Sequence, residues 1–526
     1  MPSSPLSRRK FLLGAGALTL AAVPLGACAG DGSSNGGGDS GGGEQRATPV
    51  GDTGVAVIPD DPSGVASSAI LFAAADTAVI VAASATDGLL EAGCALAREH
   101  GVPVFADSDS ATSDITGELE RLGVSDVVLV GGTDTPSMPS DSTDPGITVH
   151  TTGDSGKDDT NDNGDPNVAW PDEASDGVHG DDRERSGVAL AVSSSSPVSV
   201  ATATAAGFTL VSVTAADPRS SDESIEAAVA ELNGAGNLVA LGSAFGSDDD
   251  LRRRGELAET VDGRLPGGGQ VMFPGRKIIA LYGHANEPLL GVMGEQPPRE
   301  AVARAQRLAE QYDPTSDVPV IPSFEIIVTV AAEEPGPSGN FSNYSDPEEV
   351  RPWIEAIVDA GGYAIIDIQP GRETLLQQAQ YYADLLKHPS VGLALDPEWR
   401  LGPDDQPMIE VGHVDASEIN EVADWLEGLV VAEKLPQKLL MVHQFQLQMI
   451  RNRENMVTGT DNVSIAVHCD GHGPQGVKME TWNVVRQGLD PAIALGWKNF
   501  IDEDEPMLTP EQTGAINPTP DIVSYQ

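Results

Sequence analysis

The chain is 526 residues long, and 80 aspartates and glutamates against 30 lysines and arginines give it a formal net charge of −50 at pH 7. A negative surplus of this size argues against nucleic acid or an anionic membrane surface as the binding partner. The length is sufficient for more than one domain.

The N-terminus carries the pattern of an export signal. Arg8-Arg9, followed by an apolar stretch, is the twin-arginine pattern, and residues 25–28 form a lipobox that ends in Cys28. The apolar stretch is too short for a stable membrane span, so residues 1–27 are predicted to be a cleaved signal peptide. Cys28 would be lipidated and would hold the mature chain at the outer face of the cell membrane, the only membrane contact that we expect. Residues 28–52, rich in glycine and serine, are predicted to be a flexible tether.

Residues 53–266 contain an internal repeat of two α/β units. Each copy alternates strands and helices at spacings that predict a parallel sheet covered by helices, and the first strands of the two copies lie at residues 78–81 and 188–192. Between the copies, residues 141–185 are rich in aspartate, glycine, serine and threonine and are predicted to be a disordered acidic insert.

The first copy ends in Val127-Val128-Leu129-Val130-Gly131-Gly132, which resembles the signature of the type-2 cell-wall-binding repeat. This resemblance implies Rossmann-like units that hold a surface protein non-covalently on anionic wall polymers. The second copy departs from the signature, because Gly242-Ser243 stands where two glycines are expected. An inert spacer is the alternative interpretation of these units.

Residues 277–526 have the length and the strand pattern of a (β/α)8 barrel. Strands are predicted at residues 278–282, 320–329, 363–368, 391–396, 438–443, 463–468, 492–497 and 522–525. Helices are predicted at residues 299–311, 347–360, 373–386, 416–432 and 475–487, with a shorter one at 446–454. The predicted fold class is therefore α/β, with Rossmann-like repeat units followed by a C-terminal TIM-type barrel.

Polar side chains collect at the ends of these strands, where barrels of this kind have their active sites. The fourth strand is followed by Asp396 and Glu398, whose side chains leave an extended backbone on the same side. Two carboxyl groups at this spacing can act as an acid/base pair on one substrate. An Asp-x-Glu at the end of strand four resembles glycoside hydrolase families 18 and 25, but the longer chitinase pattern is absent, because Val391 and Ala394 stand in place of two further aspartates.

This resemblance and the position of the pair predict a glycoside hydrolase that acts on cell-wall or extracellular glycan. Glu398, beside the apolar Trp399, is the predicted general acid, and Asp396 is the ionised partner that acts as helper or nucleophile. Trp399 and Trp497 are predicted to stack on sugar rings. The other predicted substrate-binding residues are Asp367, Gln369, His443, Gln444, His468, Asp470, Lys498 and Asn499.

Two other functions remain open from the sequence. A metal-dependent hydrolase could use His284, His443, His468 and Asp470, which are suitable donor types, but no compact ligand motif such as His-x-His supports it. A barrel that binds sugar or peptidoglycan without turnover is the second alternative. We expect no cofactor and no metal, and a cell-wall polymer or glycan as the partner. The chain as a whole resembles actinobacterial lipoproteins that join cell-wall-binding-like repeats to such a barrel, which implies a cell-envelope location and no particular reaction.

Overall fold

The computed structural model describes residues 47–51, 53–132, 147–152, 168–171, 174, 186–234, 236–336, 338–405 and 409–526. The predicted signal peptide, Cys28 and nearly all of the predicted tether lie outside the described residues, as does most of the segment 141–185. No helix within the described ranges is long and apolar enough to cross a membrane.

Within the residues that the structure describes, two four-stranded sheets and a short antiparallel pair, Thr48–Pro49 with Phe72–Ala74, form the N-terminal part of the fold. The strands of the two sheets are β1 (Val55–Ile58), β2 (Thr77–Val81), β3 (Val104–Ala106), β4 (Asp126–Val130), β5 (Thr148–Thr152), β6 (Gly187–Ala191), β7 (Phe208–Ser212) and β8 (Leu238–Leu241). The first sheet has the order β3-β2-β4-β5 and the second the order β7-β6-β8-β1, and all neighbouring strands are parallel.

The sequence did not indicate strands β1 and β5. Strand β1 precedes the first copy in the chain, yet Val55 pairs with Leu238 in the second sheet. Strand β5 lies within the segment predicted to be disordered, and Thr148 pairs with Asp126 at the edge of the first sheet. Strand β5 is mostly polar, so its sequence carries little hydrophobic signal, whereas β1 is apolar but only four residues long. Both strands are ordered by pairing with a buried, apolar neighbour strand.

Six helices in the described part of the chain cover the two sheets, and one apolar core joins both sheets. Helices α2 and α4 pack against each other, and this core includes Val81, Phe105, Val198 and Ala201. The helices are α1 (Val65–Leu71), α2 (Asp87–His100), α3 (Thr112–Leu122), α4 (Pro197–Ala205), α5 (Asp222–Asn233) and α6 (Asp248–Thr260).

The C-terminal part of the chain is a closed barrel of eight parallel strands. The strands are β9 (Lys277–His284), β10 (Val320–Ala331), β11 (Tyr363–Ile368), β12 (Val391–Leu395), β13 (Lys438–Gln444), β14 (Val463–Cys469), β15 (Ala494–Asn499) and β16 (Ile522–Tyr525). They follow one another around the barrel in chain order, and β9 closes it by pairing with both β10 and β16. The predicted barrel is confirmed, and all eight strands lie where the sequence placed them, to within a few residues.

Helices surround the barrel: α7 (Pro298–Ala309), α8 (Pro347–Asp359), α9 (Leu375–Tyr381), α10 (Ala383–Leu386), α11 (Ala416–Glu433), α12 (Gln475–Val485) and α13 (Pro510–Gly514). The helix predicted at 373–386 is interrupted at Tyr382, whose buried hydroxyl donates to the carbonyls of Val328 and Ser345. The short helix predicted at 446–454 is replaced by two 3-10 turns, Leu447–Met449 and Arg453–Asn455.

The bottom of the barrel interior is apolar and is closed by the segment that links it to the sheets. Leu265 and Met272 of this segment pack in one cluster with inward-facing residues such as Ile278 and Leu439. The buried Arg276 guanidinium donates to the carbonyls of Gly268, Val271 and Met272 and holds the segment in place. The glycine-rich linker is therefore part of the barrel core.

Replacing Met272 by alanine should lower the free energy of unfolding by about 2–5 kcal/mol, because Met272 is fully buried and its loss leaves a cavity under the barrel. Urea denaturation followed by tryptophan fluorescence measures the change. Ile409→Ala is the matched control, since that side chain is 72% exposed and its truncation should change stability by less than about 0.5 kcal/mol. Equal effects of the two substitutions would show that the linker is not part of the core.

Candidate active site

Each strand of the barrel places one polar side chain on the inner face near its C-terminal end. Side chains alternate between the two faces of a strand. Each of these residues lies two or four positions after an apolar residue that fills the bottom of the barrel interior, such as Ile278 or Leu439, and therefore faces inward as well. All eight are at most 3% exposed. They are Tyr282, Glu325, Asp367, Asp396, His443, His468, Lys498 and Ser524. So many buried ionisable groups in one interior are typical of a functional site.

His443 lies at the centre of this group, held between two carboxylates. Its Nε2 is 2.7 Å from Oε1 of Glu325, and its Nδ1 is 3.1 Å from Oδ2 of Asp470. Burial alone lowers the pKa of His443, but the two carboxylates reverse this and raise it well above its usual value. In turn, His443 overcomes the effect of burial on Glu325 and Asp470 and lowers the pKa of both. The three residues therefore form an ionised carboxylate–imidazolium–carboxylate group.

Burial shifts the remaining two inner carboxyl groups, Asp367 and Asp396, towards the protonated form. Burial raises the pKa of Asp367 to about 6, and the Tyr282 hydroxyl donates to its Oδ2 at 3.0 Å. Burial also raises the pKa of Asp396 well above its usual value, and the neighbouring carboxyls of Asp367 and Glu398 add to this increase, although His443 opposes it. The sequence-based expectation that Asp396 is ionised is not supported, because Asp396 is buried and surrounded by other acids.

Glu398 follows strand β12 in the 3-10 turn Pro397–Trp399, and its backbone N–H donates to Oδ1 of Asp396 at 3.3 Å. Its side chain is partly exposed and reaches the cavity described below. Burial, and then the nearby Asp470 carboxylate, raise the pKa of Glu398 to about 7, although Lys498 and His443 oppose the increase. A carboxyl group that is half protonated near neutral pH can give a proton to a substrate.

A cavity of about 450 Å³ opens above the eight inner polar side chains, at the C-terminal ends of the strands. Its volume is within the range of small-molecule binding sites. Predicted site residues that line it are Gln369, Asp396, Glu398, Trp399, Asp470 and Lys498. Residues that line it and were absent from the predicted site include Tyr282, Phe445, His472, Thr481 and Phe500. Tyr282 could have been found because it lies four positions after the inward-facing Ile278 on strand β9. Thr481 is on helix α12, and Phe445, His472 and Phe500 come from loops whose course the sequence does not indicate.

Three predicted substrate-binding residues point away from the cavity. Trp497 packs edge-on against Trp482 of helix α12, and its indole N–H donates to Asn499. Asn499 in turn donates to Thr513 of helix α13. Gln444 donates to the carbonyls of the turn that follows β13. These residues occupy outward positions on their strands, where side chains pack against helices and loops.

Four predicted site residues lie beneath the cavity or beside it, and Asp367 and His443, described above, are two of them. His468 faces inward, donates to or accepts from the Ser524 hydroxyl at 2.7 Å, and has its pKa lowered by burial to about 3. His284, which the sequence offered as a metal ligand, is 3.0 Å from the Ser345 hydroxyl and does not line the cavity.

Two groups of three donors in the described part of the chain could hold a metal ion. One consists of Glu325, His443 and His468, and the other of Asp396, His443 and Asp470, with the donor atoms of each group within 4.8 Å of one another. Imidazole and carboxylate donors suit Zn²⁺ and similar ions. Buried oxygens of Glu325 and Asp470 lack a hydrogen-bond partner among the described residues, which fits such a role. Both groups, however, require His443, whose two nitrogens already contact carboxylates.

No protein-family model, curated protein or solved structure matches this chain. Its function must therefore follow from the geometry and charge of the cavity.

Proposed function

We propose that the barrel is a glycoside hydrolase in which Glu398 is the general acid. The observation that carries this proposal is the Glu398 carboxyl itself, which reaches the cavity and has its pKa raised to about 7. Glycosidases need one carboxyl that is protonated at working pH and a second group that is negatively charged. Both kinds of group are present in this cavity.

In the proposed reaction, Glu398 gives its proton to the oxygen of the glycosidic bond as the bond to the anomeric carbon breaks. Positive charge then develops on the sugar ring, and the ionised Asp470 stabilises it. Water adds to the anomeric carbon, and Glu398 recovers a proton from it. Because Asp396 favours the protonated form, its role is that of a helper, which accepts from the backbone N–H of Glu398 and fixes the catalytic turn.

Trp399 and Gln369 line the same cavity and are the proposed contacts for sugar rings and hydroxyls. The aromatic face of Trp399 offers a stacking surface. Gln369 is held by the Ala331 backbone N–H, which donates to its side-chain oxygen at 2.9 Å, so its amide group is oriented before substrate arrives. The substrate that we propose is a cell-wall or extracellular glycan.

Metal-dependent hydrolysis is the second candidate, favoured by the two three-donor groups around His443. Asp396, His443 and Asp470 would hold the ion, which would activate a water molecule, and Glu398 would act as the base. The experiment that separates the candidates measures the release of reducing ends from cell-wall glycan by the purified protein, with and without a chelator. Cleavage that survives chelation supports the general-acid mechanism, and cleavage that requires added Zn²⁺ supports the metal mechanism. Binding of glycan without cleavage would favour the non-catalytic alternative.

We further propose that the N-terminal sheets are Rossmann-like cell-wall-binding units and that Cys28 carries a lipid anchor. Both sheets have four parallel strands in the same order, which supports the first of these proposals. The lipobox in the sequence supports the second. Cys28→Ser should leave the precursor uncleaved or release the protein into the medium, as seen by fractionation and immunoblotting. Processing and membrane association equal to those of the wild type would rule out the anchor.

A further inference from the structure

The ammonium group of Lys498 is buried in the barrel without an ionic partner. Lys498 is on the inner face of strand β15, is 3% exposed and lines the cavity. Its Nζ lies 3.5 Å from the centroid of the Tyr282 ring and 5.2 Å from that of Phe500. The ammonium group makes no hydrogen bond or salt bridge with any residue in the described part of the chain.

An ammonium group has three donors, and the face of an aromatic ring satisfies it only in part. Burying a cation away from water is unfavourable unless an opposite charge or hydrogen-bond acceptors compensate it. Carboxyl groups of Glu398, Asp470 and Asp367 are close enough to sense the charge of Lys498, but none is within salt-bridge distance. Because Lys498 lines the cavity, its unused donors are available to a ligand there.

We propose that Lys498 binds a carboxylate group of the substrate, so that the sugar recognised in this cavity is an acidic one, of the uronic acid class. The inference rests on the proposed glycosidase function and specifies its substrate. The carboxylate of a uronic acid carries one negative charge and accepts hydrogen bonds through its two oxygens, and the ammonium group of a lysine is a compact positive charge with three donors for it.

The charges around the cavity favour a singly charged group over a phosphate. Lys498 is the only lysine or arginine among the described residues that line the cavity. Phosphate carries up to two negative charges and commonly needs several cationic donors or a bidentate arginine. The ionised Asp470 in the cavity wall shares the single positive charge of His443 with Glu325, so this group has a net negative charge and offers none of its positive charge to a ligand. Beside this group, the one ammonium of Lys498 favours a singly charged carboxylate over a doubly charged phosphate.

The test compares the binding of four probes by calorimetry at low salt and pH 6. The probes are glucuronate, its uncharged methyl ester, glucose and glucose 6-phosphate. We expect glucuronate to bind the wild-type protein at least about tenfold more tightly than its methyl ester, and glucose 6-phosphate to bind no more tightly than glucose. Lys498→Met should remove the preference for glucuronate, and Lys498→Arg should retain part of it.

Lys387→Met is the matched control, because Lys387 is a lysine at the barrel surface that pairs only with Asp384 at 3.5 Å. This variant should keep the wild-type preference. Equal affinity of the wild-type protein for glucuronate and its methyl ester would overturn the proposal even if Lys498→Met fails to fold. Tighter binding of glucose 6-phosphate would overturn the choice of carboxylate. None of these measurements involves turnover, so the two proposals can fail separately. A preference for glucuronate without glycan cleavage would support the acidic-substrate inference and reject hydrolysis. Glycan cleavage without the preference would support hydrolysis and reject the acidic-substrate inference.

Discussion

Glu398→Gln is expected to lower the rate of glycan cleavage by about 100- to 10,000-fold and to change glycan affinity by less than about threefold. Glutamine has the shape of the glutamate side chain but cannot give up a proton to the leaving oxygen. The loss should therefore appear in kcat, with little change in binding. Release of reducing ends measures the rate, and calorimetry measures the affinity separately.

The pH profile gives an independent check on the same group. Because burial and Asp470 raise the pKa of Glu398 to about 7, the acid is protonated below this pH and loses its proton above it. The wild-type rate should therefore decline by about tenfold per pH unit above pH 7, and this limb should be absent from the residual activity of Glu398→Gln. A rate that rises through pH 7 would show that Glu398 acts as a base, as the metal mechanism requires.

The control for this variant is Glu410→Gln, an exposed glutamate in the loop that follows the same strand. It should cleave glycan at the wild-type rate. Asp470→Asn should impair cleavage more than Asp396→Asn, because asparagine reproduces a protonated Asp396 but not an ionised Asp470. The opposite order would assign the negative charge of the site to Asp396, as the sequence alone suggested.

Glu325→Leu is expected to lower the free energy of unfolding by about 3–5 kcal/mol at neutral pH. Glu325 is fully buried, and its Oε1 is 2.7 Å from Nε2 of His443. Leucine has a similar volume, so the main effect is that Nε2 of the buried imidazolium loses its acceptor while Nδ1 keeps Asp470 at 3.1 Å. The pKa of His443 should also fall, because Glu325 helps to raise it. Urea denaturation measures the first effect, and NMR titration of the imidazole protons measures the second.

A double-mutant cycle separates the charge pair from simple packing. His443→Leu combined with Glu325→Leu should be less destabilising than the sum of the single variants, because the double variant leaves no buried charge of this pair unmatched. Glu310→Gln, at an exposed position after helix α7, is the control and should change stability by less than about 0.5 kcal/mol. Additive effects of the two leucine substitutions would mean that Glu325 and His443 do not interact as an ion pair.

The sequence by itself determined the barrel. Its strands are short apolar runs such as Val391–Leu395, most of them separated from the next by a helix pattern, and this alternation indicates a parallel sheet with covering helices. It also placed Asp396 and Glu398 at the end of the fourth strand, because Pro397 cannot donate to the sheet and ends the strand there. Both results depend on local signals that lie within a few residues of each other.

Only the tertiary structure decided which polar residues meet. Both faces of a barrel strand are buried, one against the barrel interior and the other against helices, so hydrophobic alternation does not reveal which face is inward. For this reason the sequence assigned Trp497 and Asn499 to the site, although they face outward. The partners of His443 come from strand β10 and from the loop after β14, far away in the chain. Burial of this whole group sets the pKa values of Asp396 and Glu398, and burial depends on how all eight strands close into one barrel.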